Sequence, residues 1–271
     1  MQYAFFGSPE FAAIILEKLI NAGIPPAVVV CNPDRPAGRK KTITPPPTKI
    51  IAGKYGITIL QPEKFEEGIK YQISSIKADF FIVAAYAKIL PKEIIEIPRL
   101  GVIGVHPSLL PKYRGATPIQ SAILNGERET GVALFLVDEK VDHGSVIKDC
   151  RFKIEDSDTT LTLMKRLAEA GADLLIEMLP KFVDGKIKLQ PQNESEATYT
   201  KKFVTQDAYV DLAKDNPVII ERKVRAFNPE PGAWTIRDGK RVKILEAEVI
   251  DGKLKLKKIQ EAGKKVMVIK D

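Results

Sequence analysis

Residues 3–19 read Tyr-Ala-Phe-Phe-Gly-Ser-Pro-Glu-Phe-Ala-Ala-Ile-Ile-Leu-Glu-Lys-Leu. An apolar run ends in Gly7, a Ser-Pro-Glu turn follows, and from Phe11 the apolar residues recur at helical spacing. That is a strand, a tight turn and a helix packed back on the strand. Outward from it the pattern repeats: Ala27–Cys31, Ile57–Leu60, Phe80–Ala84, Val102–Val105 and Val132–Val137 are short Val/Ile/Phe-rich runs that do not alternate with polar residues. Strands buried on both faces of a parallel sheet look like this. Helical stretches such as Pro118–Leu124 and Leu161–Leu179 fall between or after them. The expectation is an α/β domain over residues 1–188, a doubly wound, mostly parallel sheet of Rossmann-like type. After Gly185 the polar stretch Leu189–Thr200 reads as a linker, set at 189–203. Residues 204–271 then offer a helix at Pro217–Phe227 and runs at Trp234–Ile236, Val242–Ile250, Leu254–Ile259 and Val266–Ile269, with Asp-Gly turns at 238–239 and 251–252. Short strands joined by such turns predict a small β-barrel.

The composition is that of a globular chain, with 44% hydrophobic and 28% charged residues. No run approaches the roughly 18–20 apolar residues of a membrane span, and the N-terminus reads as a first strand rather than a signal peptide. Cys31 and Cys150 lack metal or disulfide spacing. A cytoplasmic protein without a metal site is expected. The net charge of +7 is uneven: residues 200–271 carry +6 and residues 1–199 only +1. A basic tail on a near-neutral body suits a polyanionic partner, although a Lys/Glu-rich solvated surface has the same composition. The Gly7 turn lacks the G-x-G-x-x-G spacing of a dinucleotide site. Asn32–Thr48 holds five prolines, which block a helix and a central strand alike, and carries Arg35, Arg39, Lys40 and Lys41. Its place after the second strand is where ligand sites of α/β sheets form.

Two histidines exist, His106 and His143. His106 closes the run Val102–Val105, so it stands at the end of a buried strand. Asp142 follows the run Val132–Val137. A His and an Asp emerging from neighbouring strands meet either as a proton-transfer pair, the carboxylate orienting the imidazole, or as a hydrogen-bonded pair closing a turn.

The surrounding words narrow this. Gly101–Gln120 (GVIGVHPSLLPKYRGATPIQ), then Glu129-Thr130-Gly131-Val132 with Val141-Asp142-His143-Gly144, resemble the signature of the folate-dependent formyltransferases. Gly7–Ala12 (GSPEFA), Asn32–Lys41 (NPDRPAGRKK) and Arg225–Trp234 (RAFNPEPGAW) are similar to the branch of that family acting on methionyl-tRNA. The resemblance covers almost the whole chain and implies a formyltransferase-type domain followed by an OB-like barrel. It implies formyl transfer from 10-formyltetrahydrofolate to the α-amino group of methionyl initiator tRNA by a monomeric enzyme. It assigns His106 and Asp142 to catalysis and Ser108, Leu109, Leu110 and Pro111 to the folate site, joined there by Tyr86, Ile89 and Leu90. It places Arg35, Arg39, Lys40 and Lys41 against tRNA, and leaves His143 a bystander.

One position departs from the pattern. The family's catalytic Asn, two residues before the His, is Gly104 here. Losing one oxyanion donor commonly costs on the order of 10²–10³ in rate, so Gly104→Asn is expected to raise turnover. The vacancy keeps two other readings in view: a formyltransferase for a small amine such as an amino-sugar nucleotide, and a weakened folate- or RNA-binding relative.

Overall fold

The computed structural model describes residues 1–38 and 40–269. They form two units. The first comprises Met1–Arg114, Gly131–Arg151 and Lys165–Thr198, and the second Gly115–Thr130, Phe152–Met164 and Tyr199 onward. In chain order the elements are β1 (Tyr3–Gly7), α1 (Glu10–Asn21), β2 (Val28–Val30), β3 (Arg35–Ala37), β4 (Thr42–Thr44), α2 (Pro47–Lys54), β5 (Thr58–Leu60), α3 (Glu67–Ser75), β6 (Phe80–Ala84), α4 (Lys92–Ile95) and β7 (Val102–His106). There follow α5 (Pro118–Asn125), β8 (Glu129–Leu136), β9 (Val146–Lys153), α6 (Thr160–Val183), α7 (Pro217–Phe227), β10 (Trp234–Arg237), β11 (Lys240–Ile250), β12 (Lys253–Glu261) and β13 (Met267–Val268).

The first unit is built on a seven-stranded sheet ordered β5-β2-β1-β6-β7-β8-β9. The five apolar runs read as strands between Tyr3 and His106 are all present and pair in parallel. Phe6, Phe81, Val28 and Val30 fill a core with Ile73, Ile94 and Leu90. The intervening side chains Phe5 and Ile82 are as fully buried. The strands β1, β2, β6 and β7 thus have apolar cover on both faces, the condition that produced the unalternating runs, while the edge strand β5 is only partly covered. In α1 the residues Phe11, Ala12, Ile15, Leu16 and Leu19 form the buried stripe. A Cβ on Gly7 would lie 2.6 Å from that of Ala12 and 2.8 Å from the Ala84 carbonyl. Only glycine lets the helix start this close to the sheet.

One strand runs against expectation. β8, whose apolar run resembles the others, is antiparallel to β7, with Gly104 opposite Phe135 and His106 opposite Ala133. Being buried on both faces erases the polar alternation that normally marks an antiparallel strand. The composition therefore could not show its direction. The strand β9 went unread for the opposite reason, because Val-Ile-Lys-Asp-Cys-Arg-Phe-Lys is mixed and half exposed.

The Pro-rich segment forms a two-stranded ribbon, β3 with β4, separate from the main sheet. Its proline content is compatible with that and with little else, and Pro47 opens α2 at a helical position that lacks a hydrogen-bond partner for N–H anyway.

In the second unit β10 to β13 make a four-stranded antiparallel sheet in chain order, the antiparallel β domain expected there, with no pairing of β10 to β13 among the described residues that would close it into the expected barrel. Tyr209 adds a parallel bridge to Trp234 at its edge. Val210, Ile220, Val224, Ala233 and Ile244 form its core, with Leu254 and Leu256 packed on. Along β12 Leu254 and Leu256 therefore face inward while Lys253 and Lys255 are exposed. The register shifts around Glu246 reset the faces so that Ile259 is again buried. The helix α7 packs on both α5 and this sheet. The segment 189–203 is shared: up to Thr198 it belongs to the first unit, and from Tyr199 to the second.

Candidate active site

Every residue of β7 from Val102 to His106 is buried. The chain then turns sharply: the Ser108 N–H donates to the His106 carbonyl at 2.9 Å, and the Lys112 N–H to that of Leu109 at 3.1 Å. The Ser108 hydroxyl donates to the Lys112 carbonyl at 2.6 Å. The turn brings the Tyr113 carbonyl to 2.9 Å from His106 Nε2. A carbonyl can only accept, so that nitrogen carries the hydrogen. Nδ1 faces the other way and lies 3.5 Å from Asp142 Oδ2, with side-chain exposures of 7% and 22% for the two residues.

Asp142 arrives there by a longer route than two parallel strand ends would give. His106 sits beside Ala133, three residues before β8 ends, or roughly 10 Å at the usual rise per residue. The loop after Leu136 must therefore fold back. Its ends are pinned by Leu136 N–H to the Ser145 carbonyl at 2.9 Å and Val137 N–H to the Val102 carbonyl at 2.8 Å. Asp142 has φ +48 and Tyr113 φ +60. Non-glycine residues enter the left-handed region at some cost, and such positions persist only where the surroundings impose them. Here one carries the carboxylate and the other the carbonyl that flank the same imidazole.

The folate-assigned residues fall into two groups. Ser108, Leu110, Leu90 and Tyr86 are buried, Ser108 with its hydroxyl hydrogen held in the turn. Leu110 packs with Ala133 and Phe135. Ile89 is 82% exposed, and Leu109 and Pro111 are half-buried. The Tyr86 hydroxyl has no partner among the described residues, and burial pushes its pKa up to about 12, so it is a neutral donor. Tyr86 and Leu90 belong to one buried cluster and Leu110 to another.

The described basic residues of the Pro-rich segment lie on the ribbon and its turn. Arg35 is exposed and paired with Glu63 at 2.5 Å, and Lys40 and Lys41 are exposed at the turn. Arg39 lies outside the described residues. At the foot of the ribbon Asp34 accepts from Lys49 and Gln61, each at 2.8 Å, and these bonds hold its carboxyl below the usual carboxylate range.

His143 turns away from the pair and bonds Asp138 at 2.6 Å through Nδ1. Sequence reasoning did not single out Arg114, Gln192 or Glu194. Arg114 is fully buried and meets Glu194 at 2.6 Å, whose carboxyl it lowers by hydrogen bonding. Arg114 stands within the family word Gly101–Gln120, but Gln192 and Glu194 lie in a Gln/Glu-rich stretch that reads equally well as a linker.

Phe135 was also missed. Gly104 lacks a left-handed φ, but a Cβ built there would lie 2.3 Å from Phe135 Cε1 and 2.5 Å from Cζ. The phenyl ring occupies the space an Asn side chain would need. The expected gain from Gly104→Asn is revised accordingly. Alone, the change overpacks the sheet by about 1–3 kcal/mol and leaves turnover at or below the parent level. Gly104→Asn combined with Phe135→Ala makes room and raises turnover above that of Phe135→Ala alone. Thermal melts and single-turnover rates of the three variants check this. A single variant both as stable as the parent and faster overturns it.

The Formyl transferase family model matches residues 1–179, and that of the formyl transferase C-terminal domain matches residues 202–270. A methionyl-tRNA formyltransferase of Kosmotoga olearia is 39% identical over 99% of this chain and 94% of its own length. The structure of a methionyl-tRNA formyltransferase from Clostridium thermocellum superposes with a TM-score of 0.64 at 16% identity, over the whole of both chains. An N-formyltransferase from Helicobacter canadensis, in complex with folinic acid and dTDP-3-aminofucose, gives 0.66 at 20% identity, over 92% of this chain and 88% of its own. The two structures speak for the fold alone. With the full-length sequence match beside them, the chain belongs to the methionyl-tRNA branch of the formyl transferase family.

Proposed function

We propose that this chain transfers the formyl group of 10-formyltetrahydrofolate to the α-amino group of methionyl initiator tRNA, acting in the cytoplasm as a monomer. The observation that carries the reading is the His106–Asp142 pair at 3.5 Å, in a chain 39% identical along its length to a methionyl-tRNA formyltransferase.

10-Formyltetrahydrofolate is the second substrate and supplies the activated formyl carbon. A bond forms between the amine nitrogen and that carbon, and the bond from the carbon to the folate nitrogen breaks. One proton must leave the amine and one must reach the departing nitrogen. Asp142 is the carboxylate placed to accept the first, and His106, held by the Tyr113 carbonyl at Nε2, relays it through Nδ1. Once Nδ1 has taken that proton it can also donate to the formyl oxygen as negative charge develops there. Ile89, Leu109 and Pro111, the more exposed of the folate-assigned residues, offer apolar contact to the folate, and Tyr86, Ser108, Leu110 and Leu90 are the buried members of that set. Arg35, Arg39, Lys40 and Lys41 hold the acceptor end of the tRNA, where phosphate contacts set position.

Single-turnover formylation of charged initiator tRNA with 10-formyltetrahydrofolate tests the reading. Formyl-methionyl-tRNA is expected to appear stoichiometrically with enzyme, and an amino-sugar nucleotide is expected to remain unreacted. Formylation of the sugar nucleotide in place of the tRNA overturns it.

A further inference from the structure

The stretch 190–198 holds one short 3-10 turn, Glu194–Glu196, and no main-sheet strand, yet backbone and side-chain bonds tie both its ends and Gln192 into the first unit. Gln190 exchanges both backbone hydrogen bonds with Val146, at 2.8 and 2.9 Å. At the other end the Thr198 carbonyl accepts from Arg114 N–H at 2.9 Å, its N–H donates to the Pro111 carbonyl at 3.2 Å, and its Oγ1 accepts from Tyr113 N–H at 2.8 Å. Tyr113 is the residue whose carbonyl holds His106 Nε2.

Between these ends lies Gln192. Its Nε2 donates to the Asp142 carbonyl at 2.9 Å and the Gly144 carbonyl at 2.7 Å. Its Oε1 accepts from Arg114 Nε at 3.1 Å and Nη2 at 2.8 Å. All four hydrogen-bonding positions of the amide are used. Its orientation is not ambiguous either, because a guanidinium only donates and carbonyls only accept. Arg114 is fully buried and is held in turn by Glu194 Oε1 at 2.6 Å and Oε2 at 3.0 Å. The clamp sits on a main chain with little freedom of its own: Asp142 is at φ +48, and a Cβ on Gly144 would meet the Leu136 carbonyl at 1.7 Å.

We propose that Gln192 is a positioning residue. Carried by Arg114, it fixes the main chain on both sides of His143 so that the Asp142 carboxylate faces His106, and it acts on the reaction only through Asp142. The inference rests on the reading of His106 and Asp142 as the reacting pair. The Gln192 amide is fully used by protein groups. Its donors go to backbone carbonyls, so what it controls is where Asp142 stands.

The experiment is a kinetic cycle on the full chain. Gln192→Ala removes the clamp. Gln192→Glu keeps an acceptor for Arg114 but sets an oxygen against the two carbonyls. Both are expected to lower kcat by about ten- to a hundredfold, the scale of an ångström-level misplacement, while KM for 10-formyltetrahydrofolate and for methionyl-tRNA stays within about threefold of the parent. In an Asp142→Asn background, Gln192→Ala is expected to cost less than about threefold more, because the group it positions is already gone. A full, additive loss in that background overturns the proposal, as does a rise in KM with kcat unchanged. Near-parental kcat for Asp142→Asn alone instead overturns the underlying reading of the pair, so the two failures are distinct. If Gln192→Ala does not fold, Gln192→Asn, whose shorter amide cannot span Arg114 and both carbonyls, takes its place in the cycle.

Discussion

His106→Ala and Asp142→Asn are each expected to lower the single-turnover rate by about a hundredfold or more, with folate affinity little changed. The size follows from the site. His106 is held in one orientation by the Tyr113 carbonyl and the buried end of β7, so its imidazole has one working nitrogen, and that nitrogen faces one carboxylate. Removing the ring removes both roles proposed for it, the proton relay and the donor to the formyl oxygen. Asp142→Asn keeps the shape of the side chain but removes its charge and its ability to take the amine proton. The double variant is expected to be little worse than the slower single variant, because groups that act as a unit lose their effect together. Rates and folate affinity of the three variants are the measurement. Near-normal turnover in either single variant would falsify the assignment.

The second large effect is that of salt on tRNA binding. With +6 of the charge in residues 200–271 and further cations on the ribbon, affinity is expected to fall steeply as salt rises. Each neutralised phosphate contributes a slope of roughly 0.7–0.9 log unit per log unit of salt. Deleting residues 204–271 is a poor way to show this, because α7 packs on α5 and its removal would strip that helix. Substitution of exposed lysines is cleaner. Lys240, Lys253 and Lys255 are exposed on β11 and β12, and β12 keeps its inward Leu254 and Leu256 when the lysines become alanine. The triple variant is expected to flatten the slope by about two units and to leave folate binding intact. Lys40→Ala with Lys41→Ala, at the ribbon turn, should behave differently, lowering turnover with initiator tRNA more than it lowers affinity, as expected of contacts that position the reacting amine. Titrations at several salt concentrations, with single-turnover rates alongside, separate the two. Salt-insensitive binding would leave the C-terminal lysines as a solvated surface.

The sequence by itself determined the α/β architecture, because strands buried on both faces must be apolar throughout and the run from Tyr3 to Leu19 allows few other readings. It determined the small β domain through its Asp-Gly turns and short runs. It also marked His106 and Asp142, since each stands next to an apolar run within a family word. Tertiary structure alone decided the direction of β8, because an apolar run has no polarity to read. That direction decided the fold-back that delivers Asp142 to His106. It placed Phe135 against Gly104 too, a contact fixed by the register between two strands separated in sequence by the whole of α5. The role of the stretch up to Thr198 was decided there as well. Gln, Glu and Thr make the same composition whether they face water or bind carbonyls and a buried guanidinium. Only the neighbours, brought together from residues 114, 142, 144 and 192, determine which.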